Sequence, residues 1–298
     1  MTPSDRIRPR TVLVTGANSG VGRAASERLA GRGWHVLMLC RDPGRGEAAR
    51  REVARRARGP EPTLVLADLE EPDQVRRAAG QVCDRLGSLD ALVANAGVYR
   101  ATLERTRIGV ERTLAVTHLG HFQLVSLLLG LVRAARGRVV VVSSEAHRAG
   151  RLRRRPLEEI LRGTGGYSGW QAYADSKLAN VLFAFELGRR LSEPGVGIVA
   201  LHPGMLATRI WNRNRDLASL VARLAKPFMG SPDGGGERVE RLVIDPELAG
   251  VRELYVKGEN PARAAAEAYD RDLASQLWEV SERLLAEAGH PVSRPGPD

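Results

Sequence analysis

The sequence predicts an α/β fold in which a doubly wound parallel sheet carries helices on both faces. The first observation is that short runs rich in β-branched residues alternate with longer helical patterns along nearly all of the 298 residues. The second is that these runs are almost continuously apolar, as in parallel strands that are buried on both faces. The third is a glycine-rich turn directly after the first run, where sheets of this kind bind their ligands. We therefore expect a three-layer α/β/α architecture.

The predicted elements follow one another without an internal repeat or a long linker. Strands are predicted at 11–15, 35–39, 63–67, 89–94, 138–142 and 197–201, with a last short strand at 253–256. Helices are predicted at 21–31, 44–58, 72–86 and 171–191, in the stretch that runs to about residue 135, and on both sides of the last strand. Two irregular regions, 145–170 and 205–236, follow strands, and we interpret them as substrate loops within one domain that spans residues 1–298.

The charge is large, but its composition is unusual. The chain has 45 Lys and Arg against 35 Asp and Glu, a net charge of +10, yet only three of the 45 are Lys (Lys177, Lys226 and Lys257). Nucleic-acid binders usually combine basic residues with aromatic residues or a known motif, and aromatic residues make up only 4% of this chain. We therefore expect no nucleic-acid partner, and we interpret the basic run at 151–155 as a solvated loop face.

Cysteine content and apolar patterning exclude several classes of protein. Cys40 and Cys83 are too few for a disulfide framework or a four-thiolate zinc site. His118 and His121 are three residues apart, but no thiol or carboxylate lies close to them in sequence, so no metal site is predicted. The start of the chain has no signal-peptide pattern, and the most apolar stretch, 122–132, is too short to span a bilayer. We expect a cytoplasmic protein without a membrane anchor.

The segment between the first strand and the first helix reads TGANSGVG from Thr15 to Gly22. Gly16 permits a tight turn, Gly20 lets the backbone approach a pyrophosphate, and Gly22 lets the helix pack closely on the sheet. The free N–H groups at the start of the helix would then face the phosphates. We therefore predict a dinucleotide site, with contacts from Gly16, Asn18, Ser19, Gly20, Val21 and Gly22.

The end of the second strand indicates which dinucleotide binds. NAD sites usually place a carboxylate there for the ribose 2′-hydroxyl, but this chain has Cys40 followed by Arg41. A guanidinium suits a 2′-phosphate, because Arg binds phosphate oxygens in bidentate fashion. Asp42 is acidic but lies one residue further round the loop, and Arg41 could also be a solvated loop charge. We expect NADP(H) to be preferred over NAD(H).

Two further loops follow strands at the same edge of the predicted sheet. Asp68 follows the third strand, where its carboxylate can accept a hydrogen bond from an adenine amino group. Asn95, Ala96 and Gly97 follow the fourth strand, where small residues leave room for the adenosine ribose and the cofactor backbone. It is their position, rather than their residue type, that predicts a contact with the cofactor.

A tyrosine and a lysine in a helical stretch give the main chemical signal. Tyr173 and Lys177 are four residues apart and so share one helix face. A phenol has an ordinary pKa of about 10 and is a poor acid–base at neutral pH, and we expect the neighbouring ammonium to lower the pKa of Tyr173. Tyr173 could then exchange a proton with a carbonyl or hydroxyl oxygen while a hydride moves. Ser144, after the fifth strand, could hold the same substrate oxygen.

Together these motifs resemble the short-chain dehydrogenase/reductase family, and within it the retinol-dehydrogenase-like branch. The resemblance covers nearly the whole chain and rests on TGANSGVG, Asp68–Leu69, NAG at 95–97, HLGHF at 118–122, VSSEAH at 142–147, WQAYADSKLANVLFAFEL at 170–187 and HPGMLAT at 202–208. It implies a Rossmann-type domain and NAD(P)(H)-dependent interconversion of carbonyls and alcohols on a small, apolar substrate.

The resemblance also implies roles for individual residues. Tyr173 is implied as the acid–base, Lys177 as the residue that binds the nicotinamide ribose and tunes Tyr173, and Ser144 as the residue that positions the substrate oxygen. Pro203 and Gly204 would pass beside the nicotinamide. The implied cofactor contacts are completed by Leu69 and Thr208.

Thr117 departs from the family pattern. The family normally has an Asn before HLGHF, where it helps to hold a water between the lysine and a proton relay, whereas Thr has a hydroxyl and no amide. The backbone carbonyl of Thr117 could still contact that water. Two functions therefore stay open: an active oxidoreductase, or an NADP(H)-binding sensor or interaction protein with little catalysis. The helix that carries Tyr173 is a common dimer surface in the family, so the resemblance also implies a homo-oligomer, either a dimer or a tetramer.

Overall fold

The computed structural model describes residues 8–192, 194–204 and 230–292, which form an eight-stranded sheet. Its strand order is β3-β2-β1-β4-β5-β6-β7-β8, in which β1 to β7 are parallel and β8 is antiparallel to β7. This is the order of a doubly wound, Rossmann-type sheet, and it confirms the predicted fold class. The strands are β1 Thr11–Thr15, β2 His35–Cys40, β3 Thr63–Leu66, β4 Ala91–Ala94, β5 Arg138–Val142, β6 Gly197–His202, β7 Leu254–Lys257 and β8 Asn260–Pro261.

Helices connect the parallel strands and cover both faces of the sheet. They are α1 Gly20–Gly31, α2 Pro43–Ala54, α3 Pro72–Arg85, α4 Arg112–Ala134, α5 Leu157–Arg162, α6 Gly169–Arg190, α7 Pro232–Ile244 and α8 Arg271–Glu287. In the described part of the chain, three 3₁₀ turns lie at Glu145–Ala149, Pro246–Leu248 and Ala266–Tyr269. The predicted order of elements is confirmed, with bounds that differ by a few residues.

Alternation along each strand divides the core into two layers. On β1, Leu13 faces the side of the sheet that α3, α4, α6 and α8 cover, whereas Val12 and Val14 face the side that α1, α2 and α7 cover. Leu13 lies opposite Leu37 of β2 and Leu92 of β4, so the order of the strands reverses at β1. The loops after β1 and β4 leave this point towards different faces, which opens a crevice at the carboxyl edge of the sheet.

The region at 145–170, predicted as irregular, is more ordered than the sequence suggests. It contains the 3₁₀ turn at Glu145–Ala149 and helix α5, and Trp170 lies in the first turn of α6. The basic run inside it is not a free solvated face, because its side chains bind groups of the same chain. Arg154 pairs with the buried Asp175 at 2.6 Å, and Arg153 pairs with Asp270 at the start of α8.

Helix α8 covers the apolar face of α6 on which the expectation of a dimer or tetramer rested. The ring of Trp278 packs on Phe122 and Phe183, with centroid distances of 4.8 Å and 5.8 Å. Close by, His118 Nε2 and Ser281 Oγ lie 3.0 Å apart and link α4 to α8. A homo-oligomer of this chain would therefore need a different surface.

Within the described ranges, α4 is the one helix that is long and apolar enough to cross a membrane. It has 23 residues, so the sequence-based stretch of 122–132 understated its length. Of its most apolar 18-residue window, 78% is buried inside the structure. The core helix of a protein that never meets a membrane passes the same test, so this feature is weak support for a membrane span.

Two glycines of α4 give a matched test of how this helix packs. A Cβ at Gly120 would collide with the backbone carbonyl of Leu69, whereas a Cβ at Gly130 would have no atom within 4 Å. We predict that Gly120→Ala lowers the free energy of unfolding by about 1–3 kcal/mol. Gly130→Ala should raise it by up to about 1 kcal/mol, because Ala is the better helix former. Urea titrations of both variants measure this, and equal effects would show that the loop after β3 does not rest on α4.

Candidate active site

The structure brings the predicted site residues together at the carboxyl edge of the sheet. They come from the loops after β1, β2, β3, β4, β5 and β6, and from helices α4 and α6. Thr208 and most of the second predicted substrate loop, 205–236, lie outside the described residues. The predicted residues that the structure describes are Gly16, Asn18, Ser19, Gly20, Val21, Gly22, Arg41, Asp68, Leu69, Asn95, Ala96, Gly97, Thr117, Ser144, Tyr173, Lys177, Pro203 and Gly204.

Each glycine of the loop after β1 is needed for a different reason. Gly16 has a φ of +65° and donates its N–H to the carbonyl of Leu39 in β2 at 2.9 Å, so the β1–β2 ladder continues into the start of the turn. Gly20 has a φ of +57°, and a Cβ there would find open space. Gly22 is limited by space, since a Cβ would lie 2.6 Å from the carbonyl oxygen of Gly16 and 2.5 Å from Nδ2 of Asn95. The close approach at Gly22 is thus to the loops themselves and not, as predicted, to the sheet.

The start of α1 fits a dinucleotide phosphate. Its N-cap residue, Ser19, makes no side-chain cap bond, and no acidic residue lies in the first turn. The N–H groups of that turn are therefore left for a ligand, and the positive end of the helix dipole favours an anion. The open space beside Gly20 is where such a group would approach. The residues present thus fit the pyrophosphate of a dinucleotide.

Thr15, which the sequence analysis did not single out, joins the loops after β1 and β4. Its hydroxyl accepts hydrogen bonds from the N–H groups of Asn95 at 2.8 Å and Ala96 at 2.9 Å. The side chain of Asn95 donates in return to the carbonyl of Thr15 at 2.8 Å. Thr15 is fully buried. The predicted residues of both loops are therefore held as one unit.

At the adenosine end, Arg41 and Asp68 face each other across two strand ends. Nη1 of Arg41 lies 3.5 Å from Oδ2 of Asp68, and 42% of the Arg41 side chain is exposed. Burial raises the pKa of Asp68 above its ordinary value. Asp42 is the other carboxylate near the end of β2, and it caps α2 by accepting the N–H of Arg45 at 2.7 Å. The side chain of Leu69 is buried in the core and is therefore not available to a ligand.

Tyr173 and Ser144 form the reactive end of the site. Their hydroxyls are joined by a hydrogen bond, and Tyr173 is 6% exposed. The ring of Tyr173 packs edge-on against Tyr99 at 6.1 Å and beside Trp170 at 6.4 Å. The neighbouring Ser143 is turned away, because its hydroxyl donates to the backbone carbonyl of Lys177 at 2.7 Å. The structure therefore brings Ser144, and not Ser143, to Tyr173.

Lys177 lies under Tyr173 but does not lower its pKa. Nζ of Lys177 is 5.8 Å from the centre of the Tyr173 ring and donates to the carbonyl of Val142 at 3.2 Å. Burial raises the pKa of Tyr173 to about 12, partly offset by the hydrogen bond from Ser144. Burial also lowers the pKa of Lys177 to about 8. The expected lowering of the tyrosine pKa is therefore wrong for the chain by itself, because desolvation of the buried phenol is the dominant effect.

Thr117, a residue of α4, lies near Lys177 and Gly97. It lies in a π-helical segment, Ala115–Leu119, in which the N–H of Gly120 donates to the carbonyl of Ala115, five residues back. A Cβ built on Gly97 would lie 3.4 Å from Nζ of Lys177 and 3.5 Å from the Thr117 hydroxyl, so these groups converge there. That hydroxyl is buried and has no hydrogen-bond partner among the described residues. π-Helical segments inside α-helices are frequent at functional sites.

Pro203 and Gly204, which follow β6, lie at the same edge of the sheet. The carbonyl of Pro203 accepts a hydrogen bond from Arg238 at 2.8 Å, and Gly204 has a φ of +97°, which a residue with a side chain would adopt only with strain. Before them, Nε2 of His202 lies 3.6 Å from a carboxylate oxygen of Glu145. Among the described residues, no group of three His, Cys, Asp or Glu side chains is placed to hold a metal ion.

Comparison with known proteins identifies related chains. The family model described as short chain dehydrogenase matches residues 10–155. Human retinol dehydrogenase 14 is 36% identical over 294 residues, which cover 93% of this chain and 86% of that protein. Human retinol dehydrogenase 13 is 35% identical over 282 residues, which cover 93% and 84%. The crystal structure of an uncharacterised protein from Mycobacterium paratuberculosis is 33% identical, covers 95% of both chains and superposes with a TM-score of 0.73.

The buried ammonium of Lys177 leads to a stability prediction. Its pKa shift, from 10.5 to about 8, corresponds to roughly 3 kcal/mol of destabilisation at neutral pH. We predict that Lys177→Met raises the free energy of unfolding by up to that amount, since Asn180 still donates to the carbonyl of Val142. Lys257→Met, which removes a half-exposed lysine that pairs with Glu145 at 3.2 Å, should bring no such gain.

The same experiment has a pH dependence of known sign. Above pH 8 the folded wild type releases the Lys177 proton that the unfolded chain holds until about pH 10.5, so the stability of the wild type rises with pH in this window. The gain from Lys177→Met should therefore shrink between about pH 7 and about pH 10, as measured by chemical denaturation. A variant that is less stable than the wild type at neutral pH would contradict this account.

Proposed function

Because the chain belongs to the short-chain dehydrogenase/reductase family and is similar to its retinol dehydrogenases, we propose that it is an NADP(H)-dependent oxidoreductase. It would transfer hydride between the nicotinamide and the carbonyl or alcohol carbon of a small, apolar substrate. The observation that carries the proposal is the convergence of Tyr173, Ser144 and Lys177 at the edge of the sheet, next to the loop that fits a dinucleotide.

Arg41 supports the choice of NADP(H). Its guanidinium is partly exposed at the end of β2, and its ion pair with Asp68 is long at 3.5 Å, so it has hydrogen-bonding capacity for a 2′-phosphate. The carboxylate that would select a 2′-hydroxyl instead, Asp42, is bound to the N–H of Arg45 in the cap of α2. The backbone N–H groups at the start of α1 would hold the pyrophosphate. When bound, the nicotinamide supplies or accepts the hydride.

Tyr173 and Ser144 would handle the substrate oxygen. In the reductive direction Tyr173 donates its proton to the carbonyl oxygen as the carbon receives the hydride, so that C=O becomes CH–OH. A pKa of about 12 keeps Tyr173 protonated at neutral pH, as this direction requires. The hydroxyl of Ser144 would donate to the same oxygen and fix its position. In the oxidative direction Tyr173 must first lose its proton, which its burial opposes, so this direction would need the further positive charge of an oxidised nicotinamide.

The surroundings of Tyr173 support an apolar substrate. Trp170 is 42% exposed and lies beside the Tyr173 ring, and Tyr99 packs edge-on against the same ring. We propose that the regions at 145–170 and 205–236 complete the pocket as substrate loops. The names of the retinol dehydrogenases state that they act on an alcohol, which supports a CH–OH or C=O substrate for this chain as well.

The second candidate function is a protein that binds NADP(H) with little catalysis. The unpartnered hydroxyl of Thr117 favours it, because the group beside Lys177 lacks the amide that the family pattern has at this position. Titration with NADPH, followed by turnover assays against aldehydes, ketones and quinones, distinguishes the two. Binding without NADPH oxidation on any of them would support the second function.

We predict that Tyr173→Phe lowers kcat by about 10²- to 10⁴-fold, the usual contribution of a general acid, and leaves NADPH binding unchanged. Tyr255→Phe is the matched control, since Tyr255 is as buried and its hydroxyl has no hydrogen-bond partner in the structure. It should retain wild-type kcat. NADPH oxidation with a substrate from the panel measures both variants. Wild-type turnover in Tyr173→Phe would refute the proposed mechanism.

We predict that Arg41→Ala weakens NADPH binding by about ten- to a hundredfold, because charge-assisted hydrogen bonds to the 2′-phosphate are lost. Its affinity for NADH should stay within about twofold of the wild type, since NADH has no such phosphate. Arg51→Ala removes another exposed arginine, from helix α2, and should change neither affinity. Fluorescence titrations with both cofactors measure this. Equal losses for NADPH and NADH in Arg41→Ala would exclude a 2′-phosphate contact.

A further inference from the structure

His121, a fully buried residue of α4, connects two parts of the site that are distant in sequence. Its Nδ1 lies 2.9 Å from the backbone carbonyl of Thr117, one turn earlier in the same helix. Its Nε2 lies 2.8 Å from the hydroxyl of Thr15, at the end of β1. Thr15 in turn receives the N–H groups of Asn95 and Ala96. The imidazole is thus the link between α4 and the two loops that form the floor of the cofactor site.

The donors and acceptors around His121 allow one arrangement of protons. A carbonyl only accepts, so Nδ1 of His121 must donate to Thr117. In a neutral imidazole Nε2 is then an acceptor, so the hydroxyl of Thr15 donates to it at 2.8 Å in preference to the carbonyl of Val93, which lies further away at 3.3 Å. That hydroxyl keeps its lone pairs for Asn95 and Ala96. Burial, which lowers the pKa of His121 to about 4, holds the ring in this neutral form.

The contact with the Thr117 carbonyl matters because no residue that the structure describes forms a hydrogen bond with the Thr117 side chain. Its buried hydroxyl has no partner, although it lies with Nζ of Lys177 around Gly97. The position of Thr117 relative to Lys177 therefore depends on its main chain. That main chain belongs to the π-helical segment, whose wider turn departs from the regular hydrogen-bond pattern of an α-helix.

We propose that His121 is a positioning residue of the site, with a separate task for each ring nitrogen. Through Nδ1 it fixes the main chain of Thr117 beside Lys177. Through Nε2 it ties that main chain to Thr15 and so to the loops that hold the cofactor. The proposal rests on the proposed function, because its readouts are turnover and NADPH binding.

Two substitutions test the roles of the two ring nitrogens separately. The amide of Asn reaches the place of Nδ1, whereas the amide of Gln reaches the place of Nε2. His121→Asn should therefore retain the contact with Thr117 and lose the contact with Thr15, and His121→Gln should do the reverse. His118 supplies matched controls, because it is equally buried in the same helix but is bonded to Ser281 of α8, away from the site. The controls are His118→Asn and His118→Gln.

The variants are compared in kcat, in the dissociation constant of NADPH and in the midpoint of urea unfolding. His121→Gln should lower kcat by about tenfold or more with NADPH affinity close to that of the wild type, because misplacement of the reacting groups costs rate. His121→Asn should keep kcat within about threefold and weaken NADPH binding severalfold, because the floor of the cofactor site loses its link to α4. Both His118 variants should lose stability only.

The outcomes distinguish the proposal from the proposed function. A merely structural role would give a different result. In that case kcat and NADPH affinity would change in parallel in the two His121 variants, and no more than in His118 controls with the same loss of stability. If the wild type binds NADPH but turns over no substrate, the proposed oxidoreductase function fails. The difference in NADPH affinity between His121→Asn and His121→Gln then decides the positioning role alone. A wild type that does not bind NADPH would overturn both.

Discussion

The hydroxyl of Thr15 is the contact on which the geometry of the site depends. The sheet reverses its strand order at β1, so the loops after β1 and β4 diverge towards opposite faces and leave a crevice between them. Nothing in a parallel sheet itself fixes such loops to one another, because the ladder of hydrogen bonds ends with the strands. Thr15 supplies that connection by accepting the N–H groups of Asn95 and Ala96, and by donating to His121. The glycine loop after β1, the loop after β4 and the part of α4 that carries His121 are therefore joined through one hydroxyl.

The parts of this arrangement that are local in sequence could be predicted, and those that depend on remote contacts could not. The buried strands and the glycine turn are visible because each residue's neighbours in the chain determine its periodicity and backbone freedom. In the sequence, Thr15 resembles an ordinary strand residue and His121 an ordinary helix residue. Their contact is not visible there, because the two residues are 106 positions apart. Helix α5 was missed for the same reason: the preceding arginines are held by Asp175 and Asp270, which no local pattern reveals.

The pKa values of the active-site residues also depend on the fold, and not only on sequence spacing. The spacing of Tyr173 and Lys177 correctly predicted that they share a helix face, but a spacing contains no information about burial. In the folded chain both side chains are almost fully buried, so desolvation moves each pKa towards the neutral form. The pair by itself is therefore a protonated phenol above a weakly held ammonium, which suits proton donation. Removing the proton from Tyr173 needs further positive charge, which an oxidised nicotinamide would bring.

The cost of burying Lys177 explains why a lysine stands there in a chain with 42 arginines. Most arginines lie where carboxylates or water surround them, as Arg112 does between Glu70 and Glu104. Lys177 forms no ion pair with any residue that the structure describes, and its one hydrogen bond goes to a carbonyl that Asn180 also serves. A compact ammonium with unused donors suits the ribose hydroxyls of the proposed cofactor, whereas a guanidinium is planar and broader. The destabilising charge is thus retained for the ligand, and the tight packing of the loops around it makes its position definite.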